Sequence, residues 1–117
     1  MAIELMRVVL TPAGADDNLA AQLQFILDLQ VDSEAQACVG PRPAFGRRGD
    51  YTRNDSLYPF TLMADGRLDY GAYAADDGRQ DNLDIRGRKI VAGETVALRS
   101  AEDRSDYVIK SVTALAG

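Results

Sequence analysis

The sequence contains no histidine and no tryptophan, and its one cysteine is Cys38. Histidine is the commonest general base, the usual partner of serine and cysteine nucleophiles, and the commonest zinc ligand. Its absence excludes triad hydrolases and histidine-ligated metal sites, so we expect no metal, no cofactor and a non-catalytic protein. Carboxylate or tyrosine chemistry stays open as a catalytic alternative. A single cysteine cannot form an internal disulfide, which suits a reducing compartment.

Long apolar runs are also missing. No stretch reaches the roughly 18 apolar residues of a membrane-spanning helix. Glu4 and Arg7 interrupt the N-terminal apolar run, unlike the core of a signal peptide. The net charge of −5 disfavours attraction to nucleic acid and to anionic membranes. We therefore expect a cytoplasmic protein that does not bind membranes.

The chain length and composition are those of one globular domain. The 117 residues are 46% hydrophobic and 26% charged, as is typical of folded domains. A domain of this size buries enough surface to fold without a disulfide or a metal. We expect a single domain that spans residues 1–117.

Residues 19–32 decide the fold class. Every second residue of this segment is apolar: Leu19, Ala21, Leu23, Phe25, Leu27, Leu29 and Val31. The positions between them are mostly polar, and a helical stripe fits less well, although leucine, alanine and glutamine favour helices. The pattern predicts one extended strand of roughly 43 Å at about 3.3 Å per residue. A strand of that length should bend or carry a bulge, for which Ile26 on the polar face is a candidate position.

Further strands are predicted on both sides of this segment. Residues 2–11 should pair with it in antiparallel fashion, and the consecutive Val8, Val9 and Leu10 predict a bulge or burial on both faces. Residues 85–94 suggest a short strand, and residues 95–100 and 105–115 suggest a closing hairpin. The prediction is an all-β fold, a small antiparallel barrel or sandwich of six to seven strands, with at most one short helix near residues 33–38. The sequence does not choose between barrel and sandwich.

Residues 40–56 contain three glycines and two prolines, so we expect a 17-residue connection without regular structure. Arginine side chains bind phosphate or carboxylate in bidentate fashion, and aromatic rings can stack on a ligand. The predicted anion-binding residues are Arg42, Arg47, Arg48, Tyr51 and Arg53. The alternative is a solvated loop whose arginines pair with nearby aspartates.

Residues 57–74 predict a β-hairpin. Asp65 and Gly66 are typical of a two-residue turn. The resulting register pairs Met63 with Leu68, Phe60 with Gly71, and Tyr58 with Tyr73. Both faces of this hairpin are apolar, so the face turned away from the core needs a cover, which could be the long loop, a second subunit or a ligand. The predicted interface residues are Tyr58, Phe60 and Tyr73, with Tyr70 on the opposite face.

The acidic residues between 76 and 84 and the single cysteine are both expected to have structural roles. An acidic, turn-rich segment lacks the spacing of a calcium-binding loop, so we expect a solvated turn. Its residues are Asp76, Asp77, Asp81, Asn82 and Asp84. Cys38 has no histidine partner, and between Ala37 and Val39 it is expected to be a small buried hydrophobe.

These observations favour a non-catalytic module for binding or self-assembly, which forms a homo-oligomer or binds another protein. Two alternatives remain. One is a barrel that binds a small anionic ligand beneath the arginine loop. The other is a small barrel that binds nucleic acid, which the net charge makes the less favoured of the two.

Overall fold

The computed structural model describes residues 3–39, 44–49, 57–71, 81–100 and 103–115. Within these ranges the chain forms one short helix and nine strands. Their bounds are β1 Ile3–Pro12, α1 Asp17–Gln22, β2 Gln24–Asp32, β3 Ala37–Cys38, β4 Ala44–Gly49, β5 Leu57–Leu62, β6 Leu68–Asp69, β7 Asn82–Leu83, β8 Thr95–Arg99 and β9 Arg104–Ala114. The all-β prediction is confirmed, but the predicted count of six to seven strands is too low because three strands are only two residues long.

The strands form a nearly closed antiparallel barrel rather than a sandwich. Hydrogen-bonded neighbours follow the order β6-β5-β4-β2-β1-β9-β8-β7, with β3 attached to β2. The two ends of this order meet where Arg67 bridges Asn82 and the Leu83 amide donates to the Gly66 carbonyl at 2.8 Å. This closure removes most of the exposed sheet edge that an open sheet would present.

The core fills the inside of the barrel with the inward residues of the longer strands. Strand β2 shows strict alternation between buried and half-buried positions, as expected for a strand with one face inside. The largest fully buried side chains are Phe25, Leu10, Leu27, Leu29, Leu62, Leu83, Ile85, Ile109, Val8 and Val96.

The prediction of one strand over residues 19–32 is only partly right. Residues 24–32 are extended, but Leu19 and Ala20 belong to α1, whose C-cap is Leu23. Ala20 is buried, whereas Leu19 and Leu23 are exposed. The Asp16 side chain accepts a hydrogen bond from the Leu19 amide at 2.8 Å and caps the helix. The cap and the helix propensity of alanine, leucine and glutamine therefore outweigh the period-two pattern here.

The structure also tests the predictions for residues 33–38 and residues 8–10. The helix expected near residues 33–38 is absent, because those residues form the turn between β2 and β3 together with β3 itself. The irregularity expected in residues 8–10 is present as a register shift between Val9 and Leu10 in the pairing of β1 with β9. The bend therefore falls in β1, not at Ile26, which pairs regularly with Val9 and Arg47.

The expected loop of residues 40–56 contains a strand. Residues 44–49 form β4, which pairs with β2 on one side and β5 on the other. Glycine at position 46 lets β4 lie close to β2, because a Cβ atom there would overlap the Ile26 carbonyl and Leu27. Gly46 is also the pairing partner of Phe60, so an aromatic residue does face a strand glycine, although not the predicted Gly71.

The hairpin of β5 and β6 has a three-residue loop, so its predicted register is wrong by one residue. Leu62 pairs with Leu68, and the Gly66 amide donates to the Met63 carbonyl at 3.0 Å. Gly66 has a positive φ of 89°, as in a type I turn followed by a left-handed residue. A shift by one residue moves side chains to the other face, and Tyr70 therefore packs on Phe60 with ring centroids 6.3 Å apart.

Replacement of Gly66 should destabilise the barrel more than replacement of a comparable glycine. Gly66 and Gly71 both have φ near 90°. A Cβ at Gly66 would lie 3.0 Å from the Leu83 carbonyl oxygen, whereas a Cβ at Gly71 would have no atom of the described residues within 4 Å. We expect Gly71→Ala to lower the free energy of unfolding by about 1 kcal/mol and Gly66→Ala by about 2–3 kcal/mol. Urea unfolding measures both. Equal losses would mean that the approach of Gly66 to β7 is unimportant.

Candidate functional site

Strand β4 sends its two arginines in opposite directions. Arg47 is exposed on the outside of the barrel, whereas the Arg48 guanidinium lies 4.8 Å from the centroid of the buried Phe25 ring. Successive side chains of a strand point to opposite faces, so the two arginines cannot form one fork around an anion. Of the other predicted anion-binding residues, Arg42, Tyr51 and Arg53 lie outside the described residues.

Arg48 belongs to a polar network at one end of the barrel. Its Nη1 donates to Asp81 Oδ2 at 3.0 Å and to the Tyr70 hydroxyl at 2.9 Å. The Tyr70 hydroxyl in turn donates to Asp81 Oδ2 at 2.6 Å. Asp81 is only 4% exposed, so its charge depends on these partners. The network ties the end of β4 to residues next to β6 and β7, and it neutralises the Arg48 charge that the predicted anion lid would use.

Aromatic rings surround this network and pack edge to face. The Phe25 ring contacts Tyr107 and Phe60 with centroid distances of 5.1 Å and 5.8 Å, and Phe60 contacts Tyr70. Such geometry is favourable for aromatic pairs. The predicted interface residue Phe60 is 4% exposed and therefore lies in the core, whereas Tyr58 is 53% exposed. Tyr73 lies outside the described residues.

The low-polarity surroundings change the titration of two tyrosines. Burial, together with the hydrogen bond to Asp81, raises the pKa of Tyr70 to about 12 against the opposing effect of Arg48. Burial also raises the pKa of Tyr107, which Arg48 again opposes. Both phenols are therefore neutral at physiological pH: Tyr70 donates its hydroxyl proton to Asp81, and Tyr107 packs against Phe25.

The acidic segment does not behave as one solvated turn. Asp81 is buried in the network, and the Asn82 side chain donates to the Asp65 carbonyl at 3.0 Å where the barrel closes. Asp84 pairs with Arg88 at 2.9 Å, while Asp76 and Asp77 lie outside the described residues. Among the residues that the structure describes, no group of three or more cysteine or acidic side chains could hold a metal ion. Nothing in the local sequence distinguishes Asp81 from its acidic neighbours.

Cys38 is half-buried and not fully buried as the sequence predicts. Its Sγ accepts a hydrogen bond from Arg86 Nη1 at 3.4 Å. Burial raises the pKa of the Cys38 thiol, although the Arg86 charge acts in the opposite direction. The thiol is therefore not activated as a nucleophile.

The outer side of β1, β2 and β4 exposes several large apolar side chains. Val8 and Leu10 point into the barrel, so the alternate residues of β1 point outward. We call this surface the outer face. It consists of Ile3, Leu5, Arg7 and Val9 of β1, Ile26 and Asp28 of β2, Phe45 and Arg47 of β4, and Leu115, whose amide donates to the Leu5 carbonyl.

Phe45 is the most exposed of the large apolar residues that the structure describes on this face. It is 62% exposed, and it borders a depression of about 230 Å³, lined by Arg7, Ile26, Asp28, Phe45, Gly46 and Arg47. We call this depression the arginine hollow. Arg7 crosses it with two hydrogen bonds to Asp28, at 2.9 Å and 3.1 Å. The outer face therefore combines a projecting aromatic ring with a hollow beside it.

A second apolar depression lies at the opposite end of the barrel from Arg48. Its volume is about 290 Å³, and its lining includes Met6, Val31, Ile90 and Val112. Because Arg48 pairs with Phe25 at the start of β2 and Val31 lies near its end, the arginine lid predicted from the sequence does not cover this depression.

Comparison with known proteins assigns no family. No family model matches the chain, and no curated protein or solved structure matches it. Within the described residues, no helix has the length and apolarity that a membrane crossing requires. The functional interpretation therefore depends on the geometry of the surfaces described above.

Loss of the buried carboxylate should destabilise the protein more than loss of a surface carboxylate. Asp81→Ala leaves Arg48 and Tyr70 without their partner, and we expect it to lower the free energy of unfolding by about 3 kcal/mol. Asp28→Ala removes the exposed ion pair with Arg7 and should cost about 1 kcal/mol or less. Urea unfolding of both variants tests this. A smaller loss for Asp81→Ala than for Asp28→Ala would contradict the assigned role of the network.

The raised pKa of Tyr70 predicts a specific loss of stability in alkali. In the unfolded chain Tyr70 ionises near its ordinary pKa of 10.0, and in the folded protein near 12. The stability that neutral Tyr70 contributes is thus complete below pH 10 and is lost as the pH rises through 12. Urea midpoints of the wild type and Tyr70→Phe should converge over this range, and tyrosinate absorbance should show one late-ionising residue fewer in the variant. A constant difference between the midpoints would contradict the assignment.

Proposed function

We propose that this protein is a self-assembly module, whose outer face pairs with the same face of a second copy. The observation that carries the proposal is Phe45, an apolar side chain that is 62% exposed beside the arginine hollow. Exposed aromatic residues of this kind are enriched at the centres of protein interfaces. A hollow of about 230 Å³ accommodates a phenyl ring, since a cavity of roughly 150 Å³ can hold benzene.

A two-fold arrangement uses both features at once. In an isologous dimer the same patch meets itself, so each Phe45 ring enters the hollow of the other copy. There the ring lies between the guanidinium groups of Arg7 and Arg47, which attract the face of an aromatic ring. Covering the exposed part of one phenylalanine removes on the order of 100 Å² of apolar surface and stabilises the dimer by about 2.5 kcal/mol.

Charge also favours a second copy as the partner. The whole chain carries −5, so two copies repel each other over most of their surface. The outer face carries two arginines, Arg7 and Arg47, and one aspartate, Asp28, and Asp32 borders it as the outward pairing partner of Ile3. Its charges therefore balance, and contact through it brings together less like charge than the net charge of the chain suggests.

Apolar residues continue the outer face along β1. Ile3, Leu5 and Leu115 are exposed at the start of β1 and the end of β9. A stable interface buries about 800 Å² on each partner, which exceeds what one phenylalanine supplies. These three residues add to the apolar area that an interface on the outer face can bury.

Replacement of Phe45 should weaken self-association. We expect the dimer dissociation constant of Phe45→Ser to rise at least about 100-fold, because the loss at each ring counts twice in a two-fold dimer and about 1.4 kcal/mol per ring, roughly half of the burial energy above, already gives that factor. Sedimentation equilibrium over a wide range of protein concentration measures the constant.

Tyr58→Ser is the matched control. Tyr58 is an exposed aromatic residue of β5, but it lies at the barrel end and not on the outer face. It should leave the dissociation constant unchanged. A wild-type protein that stays monomeric at high micromolar concentration would overturn the proposal. A weaker dimer in Tyr58→Ser, with an unchanged dimer in Phe45→Ser, would place the interface at the hairpin of β5 and β6.

A further inference from the structure

The barrel end opposite Arg48 is crossed by residues 85–93, which connect β7 to β8 and which we call the crossing segment. Its Ile85 and Ile90 are buried in the core. The Ile90 amide donates to the Gln36 carbonyl at 2.7 Å, and the Gly93 amide donates to the Ile109 carbonyl at 2.8 Å. The crossing segment is thus attached to the turn after β2 on one side and to β9 on the other.

Between the crossing segment and β1 lies the second apolar depression described above, which we call the mouth cavity. Its volume is about 290 Å³, and it is lined by Met6, Val31, Ser33, Gln36, Ile90, Val91, Ala92 and Val112. Met6 lies on the same side of β1 as the buried Val8, and Val112 is the pairing partner of Val8 on β9. Val31 is buried at the end of β2. The mouth cavity therefore opens into the inside of the barrel.

The mouth cavity is apolar at its walls and neutral at its rim. Among the residues that the structure describes in its lining, Ser33 and Gln36 carry the polar side chains, and none is charged. A hydroxyl and an amide can both donate and accept hydrogen bonds. Gln36 has a φ of 54°, which is uncommon outside glycine, and its carbonyl holds the crossing segment through Ile90. The rim is therefore fixed relative to the cavity.

The charged groups around the mouth cavity disfavour an anion. Glu4 is the pairing partner of Val31, so its side chain lies on the same side of the sheet and faces the mouth. Glu34 and Lys89 adjoin lining residues in the turn after β2 and in the crossing segment. Two of these three side chains are negative, and the net charge of the chain is −5. A neutral ligand avoids the resulting repulsion.

We propose that the mouth cavity binds a neutral amphiphile, a molecule with an aliphatic chain of about eight carbons and an uncharged polar end. Barrel mouths are frequent ligand sites, and a cavity of roughly 150 Å³ can hold benzene. A cavity of about 290 Å³ accommodates a chain somewhat larger than that ring. The chain displaces water from the apolar walls, where the flexible Met6 adapts to its shape. The polar end stays at the rim beside Ser33 and Gln36.

Titrations with 1-octanol, 1-hexanol and octanoate test the size and the charge of the ligand. Amide chemical shifts of the isotope-labelled protein should move at Gln36, Ile90 and Val112. We expect 1-octanol to bind on the order of tenfold more tightly than 1-hexanol, because it buries two more CH₂ groups. Octanoate should bind at least about fivefold more weakly than 1-octanol, because its carboxylate meets like charge at the mouth. Equal binding of the two alcohols, or octanoate binding as tight as that of 1-octanol, would overturn the proposal.

Two valines of β9 provide matched variants that locate the site. Val112→Phe places a ring in the mouth cavity and should weaken 1-octanol binding at least about tenfold. Val108→Phe is the control, because Val108 is also half-buried but lies on the other side of the strand, away from the cavity. It should leave the binding unchanged. Equal effects of the two variants would place the ligand elsewhere.

Urea unfolding shows whether either variant is destabilised. If Val112→Phe does not fold, Ala92→Phe takes its place, because Ala92 is an exposed lining residue outside the core. Ala92→Phe should also weaken 1-octanol binding, and unchanged binding in this variant would contradict the proposal.

This inference does not depend on the proposed self-assembly. The mouth cavity opens into the barrel, whereas Phe45 and the arginine hollow lie on the outer face. The titrations are made below the concentration at which sedimentation detects a dimer. Absence of self-association would therefore leave the binding of 1-octanol unaffected, and absence of 1-octanol binding would leave the dimer unaffected.

Discussion

The left-handed conformation of Gly66 controls which hairpin side chains enter the barrel. It allows a loop of three residues instead of two, and each residue after the turn therefore points to the side opposite from that of a two-residue turn. Tyr70 consequently points inward, where its hydroxyl reaches Asp81 and Arg48. Asp69 points outward beside Phe45. The buried network therefore follows from the backbone at this one glycine.

Strand β4 is the second constraint, because alternation along it divides its side chains between two environments. Arg48 stacks on Phe25 inside the barrel end, whereas Phe45 and Arg47 remain outside. Gly46 lets β4 approach β2 closely, since any Cβ there would overlap the neighbouring backbone. The arginine hollow lies beside this strand, so the placement of β4 creates the candidate interface.

The sequence predicts a strand well where one face is buried along its whole length. Strand β2 keeps strict alternation over residues 24–32, as the pattern predicts. The register shift in β1 lies among the three consecutive apolar residues that predict either a bulge or burial on both faces. The same alternation was misleading at Leu19 and Leu23, which are exposed around α1. There the Asp16 cap and the helix propensity of the residues act locally. Counting alternate apolar residues over a long segment does not detect these local effects.

The amino-acid pattern alone determined that this chain is all-β, lacks histidine and turns at Asp65 and Gly66, although with a loop one residue shorter than the structure has. Only the tertiary structure decided which aspartate of the acidic segment is buried, that β4 exists within residues 40–56, and that Phe60 lies in the core while Phe45 is exposed. The physical reason is that these outcomes depend on register and on barrel closure, which join residues far apart in the chain. Local sequence constrains backbone conformation, but burial and charge pairing are set by whichever distant strand lies alongside.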